Sequence, residues 1–299
     1  MTAFHRLVSL GSALVDLQLF VPELPTSGGD ILANDSLVAI GGSFNVESAA
    51  ARLGLRTIHT GSTGVGPNSD MLAEALLQEK IEFAGEKVAD QDLGVCVTMV
   101  EPNGERTFVT RNGAESIRTL NGLNSLDLGP TDAVYLAGYD LAYPQSREVF
   151  KEWMFSNPLN GAALFFDPTP LVASVDAELL DLIRQRAFAV TANEFEAAIF
   201  GEAERYPGWF IRRIGAGGAE LYEQGVFKGH FAAPSVKVVD TTGAGDVHTG
   251  ALIASLAEGL TLASSIERAN RAAAIAITKA GGASGPSPTS LNESFSKQE

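Results

Sequence analysis

A single cysteine, Cys96, rules out an internal disulfide in this 299-residue chain, and four scattered histidines offer no Cys/His cluster for a metal. Cys96 lies among the alternating Val95, Val97 and Met99, a strand pattern that predicts a buried, inert thiol rather than a nucleophile. No apolar run approaches the roughly 18 residues a membrane helix needs, so no membrane partner is expected. The N-terminus lacks a basic region leading into a long apolar stretch and a small-residue cleavage site. No signal peptide is therefore expected, and a cytoplasmic location follows by default. Both common nucleotide fingerprints are also missing. There is no Gly-x-x-x-x-Gly-Lys-Ser/Thr loop, and neither Gly61, Gly64 and Gly66 nor Gly243 and Gly245 fit Gly-x-Gly-x-x-Gly, since position 248 is His248.

Charge is one-sided: 36 acidic against 21 basic side chains give a net charge of −15, with no basic stripe. That field repels phosphodiester backbones, and no nucleic-acid partner is expected. A nucleotide site in such a chain has to be locally positive, built from backbone N–H groups, a helix N-terminus and Mg²⁺. Hydrophobic residues at 45% and charged residues at 19% describe a folded globular protein with ample core, as one large α/β domain or two modest ones.

Short apolar runs at 7–10, 133–136, 163–166 and 187–190 read as strands buried on both faces, the mark of a parallel sheet covered by helices. Helical patterns fall between them, at 43–53 (stopped by Gly54), 69–80, 247–258 and 262–279. The alternation predicts a doubly wound α/β fold. Residues 14–40 and 92–111 break that rhythm, with apolar–polar alternation and no helix. Within the second, 94–111 reads as a hairpin turning at Asn103-Gly104. These segments can form a small separate sheet that closes over a site, or extend an edge of the main sheet. The tail after Gly285 is expected to fray.

Two strings carry chemistry. In Asp240-Thr241-Thr242-Gly243-Ala244-Gly245-Asp246, glycines around an alanine allow a sharp turn that points N–H groups into one concavity, and the apolar helix behind adds its positive dipole end. That suits the charge on a transferring phosphoryl group, with Asp246 placed to take a proton from a hydroxyl. Asp246 could equally be a helix cap. In Gly41-Gly42-Ser43-Phe44-Asn45, paired glycines permit close approach of a ligand, and Asn45 offers donor and acceptor to vicinal hydroxyls, although a tight turn and cap explain the string as well.

Together, Gly-Gly-x-x-Asn near residue 42 and Asp-Thr-Thr-Gly-Ala-Gly-Asp near residue 243 resemble the two signatures of the ribokinase-like (PfkB) family of carbohydrate kinases. The resemblance covers essentially the whole chain. It implies a Rossmann-like three-layer α/β/α domain over 1–299, with a small β-sheet lid from about 14–40 and 92–111. It implies ATP, Mg²⁺ and, in many members, a monovalent cation such as K⁺, with a small-molecule sugar as the acceptor. By that resemblance Asp246 is the catalytic base, and Gly243, Ala244 and Gly245 form the anion hole. Asp16, Gly42 and Asn45 grip sugar hydroxyls. Asn193 and Glu196 order Mg²⁺ and phosphate through water, where the residues alone read as a capped helix start. Gly215, Gly217 and Gly218 lie along the nucleotide, Gly282 closes around the adenine, and Asp240 and Thr242 contribute to the cation site.

His248 departs from the family pattern, either as a packed histidine or as a substrate contact. Arg111, ending the hairpin, could meet an acidic sugar or sit on the surface. The rival readings are a nucleoside kinase of the same fold, for which Phe20 and Phe44 are the aromatics available, a non-catalytic sugar- or nucleotide-binding regulator, and an NAD-dependent oxidoreductase, which the missing fingerprint argues against. A lid sheet can pair across a homodimer, though nothing in the sequence requires it.

Overall fold

The computed structural model describes residues 4–156 and 158–293. Among these residues the larger sheet has nine strands, ordered β13 (Val226–Phe231), β12 (Ala219–Glu223), β11 (Trp209–Arg213), β10 (Ala187–Asn193), β9 (Ala163–Asp167), β8 (Asp132–Ala137), β1 (Arg6–Ser9), β4 (Arg56–His59) and β5 (Glu82–Phe83). The apolar runs pair in parallel as expected, from β11 through to β5. Within this sheet only the β11–β12 and β12–β13 pairs are antiparallel. That edge hairpin was not visible in the sequence because its turn is Gln224-Gly225. Both residues have positive φ, 51° and 77°, the geometry usually announced by Asn-Gly.

Successive strand residues face opposite layers. Val8, Val134 and Phe166 pack with α3 (Leu120–Asn124), α4 (Gly138–Ala142), α5 (Pro144–Phe155), α6 (Ala177–Arg186) and α7 (Glu194–Phe200), through Leu123, Leu141, Trp153, Ile183 and Phe200. Leu7, Ala133 and Phe165 pack with α1 (Phe44–Arg52), α8 (Ala244–Ala257) and α9 (Leu262–Ala276), through Val46, Leu252 and Ile266. Each such buried Leu or Phe contributes about 1.5–3 kcal/mol relative to exposure. The result is the three-layer α/β/α arrangement. Helix α8 begins three residues earlier than its apolar pattern suggests, which puts Asp246 inside its first turn.

The two irregular segments build a separate sheet, ordered β3 (Asp35–Gly42), β2 (Ala13–Phe20), β6 (Val95–Val100) and β7 (Arg106–Arg111), so they do not extend the main one. One face, with Ala13 and Val15, packs on Leu72 and Leu76 of α2 (Pro67–Gln78). The other face carries the row Ala39, Asp16, Cys96 and Thr110, in register across the four strands. Cys96 is half-buried there, not buried. A second correction falls at the C-terminus. Instead of fraying, Pro288–Glu293 forms α10, and Leu291 packs into the α8–α9 core at 2% exposure. The rest of the expected frayed tail, 294–299, lies outside the described residues.

Strand order reverses between β1 and β8, and open α/β sheets take their ligands at the carboxyl ends of the strands beside such a reversal. The second sheet grows out of that same end, since β2 follows β1 within a few residues.

Candidate active site

Gly243 stands just before α8 with φ of +70°, and a Cβ there would meet Gly282 O at 2.4 Å, so only glycine makes this turn. Of the backbone donors expected in the turn, Ala244 N–H bends back to Thr241 O at 3.2 Å. The N–H groups of Gly245 and Asp246 lie in the first turn of the helix, where no intrahelical acceptor exists and the dipole is positive. The Asp246 side chain caps nothing. It accepts a hydrogen bond from Asn45 Nδ2 at 3.0 Å. Burial and the neighbouring Asp167 push its carboxyl up to about 6, against the opposing pull of Asn45 and Arg213.

Asn45 belongs to the first turn of α1 and is buried, with Oδ1 left free of any protein partner. Gly42 ends β3 with φ of +68° and feeds the chain into that helix. The Asp16 carboxylate lies against Gly41, where a Cβ would come within 2.0 Å of Oδ2. Burial, then the charge of Asp246, pushes Asp16 up to about 6 as well. The structure thus gathers Asp16, Gly42, Asn45 and Asp246 from four elements into one place. Tyr139, half-exposed on α4, faces the same region; burial and the charges of Asp246, Asp167 and Glu196 raise its phenol.

Two residues that the motifs did not single out organise the other side. Asp167 ends β9 and Arg213 ends β11. Arg213 Nη1 donates to Asp167 Oδ2 at 3.0 Å, to Gly245 O at 3.0 Å and to Thr249 Oγ1 at 3.3 Å, and Nη2 reaches Glu196 Oε2 at 3.1 Å. Burial opposes this guanidinium's charge, but Asp167 and Glu196 outweigh it and raise its pKa. A Cβ on Gly245 would sit 2.7 Å from Nη1, so the second glycine of the turn makes room for this arginine. Asn193 and Glu196 form a capping box at the start of α7: Asn193 Oδ1 accepts from Glu196 N and Glu196 Oε2 from Asn193 N, both at 2.8 Å. Burial and Asp167 raise Glu196, with Arg213 pulling the other way. Gly215, Gly217 and Gly218 turn the chain between β11 and β12 at the same end of the sheet. The signal for the missed pair was their place: a charged residue closing a buried parallel strand, at the end where such sheets bind ligands.

Residues 5–290 match the profile of the pfkB family carbohydrate kinases. The chain belongs to that family. It is 29% identical over 307 residues to the uncharacterized sugar kinase YegV of Escherichia coli (strain K12), covering 97% of this chain and 94% of that one. Among solved structures it is similar to a ribokinase from Thermotoga maritima, with TM-score 0.80, 25% identity and coverage of 97% and 98%. It is also similar to aminoimidazole riboside kinase from Salmonella enterica, complexed with aminoimidazole riboside and an ATP analog, with TM-score 0.77, 25% identity and coverage of 96% and 99%. This is a kinase of an ATP-using family, acting on a sugar or a nucleoside. No helix among its described residues is long and apolar enough to cross a membrane.

In this pfkB kinase no group of three or more His, Cys, Asp or Glu among the described residues can hold a metal directly. The acids near α7 fit Mg²⁺ only as it usually binds nucleotide sites, largely through waters and phosphate oxygens. Asp240 is different. Its Oδ1 accepts from Thr242 N at 2.8 Å, Thr242 Oγ1 at 2.7 Å and Arg106 Nη2 at 2.7 Å, and its Oδ2 accepts from Gly281 N at 3.0 Å. Burial works to raise this carboxyl, but Gly281, Thr242 and Arg106 outweigh it and hold it below the usual range. With a guanidinium already in place, Asp240 and Thr242 do not fit a second cation. Gly282 packs against the Asn45 amide, 2.7 Å from where its Cβ would stand. His248 is packed at 3% exposure, and burial, then Arg213, drives its pKa down to about 3. Phe44 belongs to the core at 4% exposure, and Arg111 is exposed at the end of β7.

Proposed function

We propose that this kinase moves the γ-phosphoryl group of ATP onto an exposed hydroxyl of a sugar or sugar-like acceptor, with Asp246 as general base. The observation that carries the reading is the convergence of Asp246, Asn45 and Asp16 from three elements, with Asp246 held at the mouth of the Gly243–Gly245 turn. The acceptor hydroxyl is held by Asp16, Gly42 and Asn45, and its proton passes to Asp246 as the oxygen bonds to the γ-phosphorus. The bond from that phosphorus to the β-phosphate oxygen breaks, and ADP leaves. Charge on the transferring group is met by the Gly245 and Asp246 N–H groups and the α8 dipole, with Gly243 and Ala244 shaping the turn. Asn193 and Glu196 would order Mg²⁺ through water, and the ion would supply charge neutralisation at the phosphates. Gly215, Gly217, Gly218 and Gly282 border the nucleotide. The second sheet acts as a lid that excludes water, the competing acceptor.

Of the two aromatics the sequence offers to stack on a base, Phe44 is locked in the core, which leaves Phe20 and the half-exposed Tyr139 for that role. A coupled ADP-release assay across sugars, sugar acids and nucleosides tests the proposal. Release with a sugar or sugar acid well above the ATP-only rate is expected. Release with nucleosides alone would replace the acceptor, and no release with any of them would overturn the reading.

A further inference from the structure

Arg106 belongs to the second sheet, at the start of β7, yet its guanidinium docks on the loop leading into α8. Nη2 reaches Asp240 Oδ1 at 2.7 Å, and both terminal nitrogens lie 3.2 Å from Thr241 Oγ1. The pair is largely covered, with side-chain exposures of 23% for Arg106 and 10% for Asp240. A carboxylate has about four lone-pair sites. Arg106 Nη2, Thr242 N and Thr242 Oγ1 crowd Oδ1 and Gly281 N takes one site on Oδ2, so the Asp240 charge is neutralised from within the chain. The backbone is pinned too, since Val239 N and Asp240 N both bond to Ile277 O. The neighbouring loop touches the second sheet at another point, where Gly281 approaches the Leu37 side chain of β3.

We infer that Arg106 is a positioning residue, an internal cation that holds the 240–243 turn in shape and makes that shape depend on the second sheet being seated. It takes at Asp240 the place a monovalent cation would otherwise fill. A further cation there would be repelled by the guanidinium already paired with Asp240, and would have to compete with three donors for Oδ1. The inference rests on the proposed reading of the 243–246 turn as the phosphoryl site. Its consequence is a kinase whose active loop needs no monovalent cation, and whose lid and phosphate turn are ordered together.

The test compares K⁺ with tetramethylammonium at matched ionic strength, on the full chain. For the wild type, the thermal unfolding midpoint and the affinity for a non-hydrolysable ATP analogue with Mg²⁺ are expected to be the same in both salts. Arg106→Ala is expected to bind the analogue at least about tenfold more weakly in tetramethylammonium, and to regain affinity with K⁺ or millimolar guanidinium. Its midpoint should show a K⁺-specific rise of about 2 °C or more. Arg106→Lys should stay close to wild type in both salts. A K⁺-specific rise in the wild-type midpoint, or an Arg106→Ala protein that binds like wild type in tetramethylammonium, would overturn the inference. If wild type binds no ATP analogue at all, the proposed function fails, while the K⁺ titration of its midpoint still decides this point.

Discussion

Asn45 Nδ2 and Asp246 Oδ2 lie 3.0 Å apart although 201 residues separate them in the chain. Each sits in the first turn of its helix, α1 or α8, and the two helices pack against each other on one face of the sheet. The bond therefore joins the loop proposed to hold the acceptor to the turn proposed to hold the phosphate. It also donates to the charged form of Asp246, which burial alone would push higher.

The pH dependence of turnover follows from that bond. As the proposed base, Asp246 has to be a carboxylate, and both it and Asp16 are pushed up to about 6, so kcat/KM should fall as pH drops through about 6. The two acids interact, and the limb belongs to the pair. Asn45→Ala removes a group that favours the charged form, so its acidic limb should move to higher pH. A pH–rate profile from roughly pH 5 to 9 checks this. A limb that stays put or moves down would contradict it.

Arg213 binds two buried acids, Asp167 and Glu196, and its own side chain is only 12% exposed. Arg213→Met leaves both carboxylates without their cation, and denaturant unfolding near neutral pH should show a loss of about 3–5 kcal/mol. Arg213→Lys keeps the charge but not the two-armed geometry and should recover part of it. A loss below about 1 kcal/mol for Arg213→Met, the range of surface pairs, would place the network outside the fold's stability.

Gly245→Ala tests the fit between the turn and that arginine. Alanine is favourable within a helix, yet its Cβ would fall 2.7 Å from Arg213 Nη1, a head group already pinned by two acids. Turnover should drop at least about tenfold, since small misplacements at the proposed phosphoryl site are costly, and the unfolding midpoint should fall as the displaced guanidinium loosens its hold on Asp167 and Glu196. Wild-type turnover in this variant would separate Arg213 from the chemistry.

Sequence and structure divide along a physical line. Asn45 and Asp246 stood out because glycine-rich turns and the residues beside them form contiguous strings, whose backbone demands leave a mark at fixed spacing, whereas Asp16 lies in no such string and came only through the family resemblance. The apolar runs also foretold the parallel sheet, while the alternation at 14–40 and 92–111 left a separate sheet and an extended edge equally open, and the strand order decides for the first. Asp167 and Arg213 were not legible as a pair. Each stands alone at the end of its strand, and only the order β11-β10-β9 brings them together. The same holds for Arg106 and Asp240, 134 residues apart. The β12–β13 hairpin was hidden by its Gln224-Gly225 turn, and α10 by a polar tail in which only Leu291 marks the buried side.

Asp246→Asn tests the account most directly, because it removes the base and keeps the shape. Asp246 titrates near 6 in the fold against an ordinary 3.8, so the folded protein binds the extra proton across that window. The stability this gives is present at low pH and is lost as pH rises through about 6. The neutral variant should thus unfold at a higher temperature than wild type near pH 7.5, with the gap closing towards pH 4. Its affinity for the ATP analogue should be kept, and turnover of the best acceptor should fall by about 10²–10⁴-fold. A folded Asp246→Asn protein turning over at near wild-type rate would contradict the assignment of Asp246 as the base.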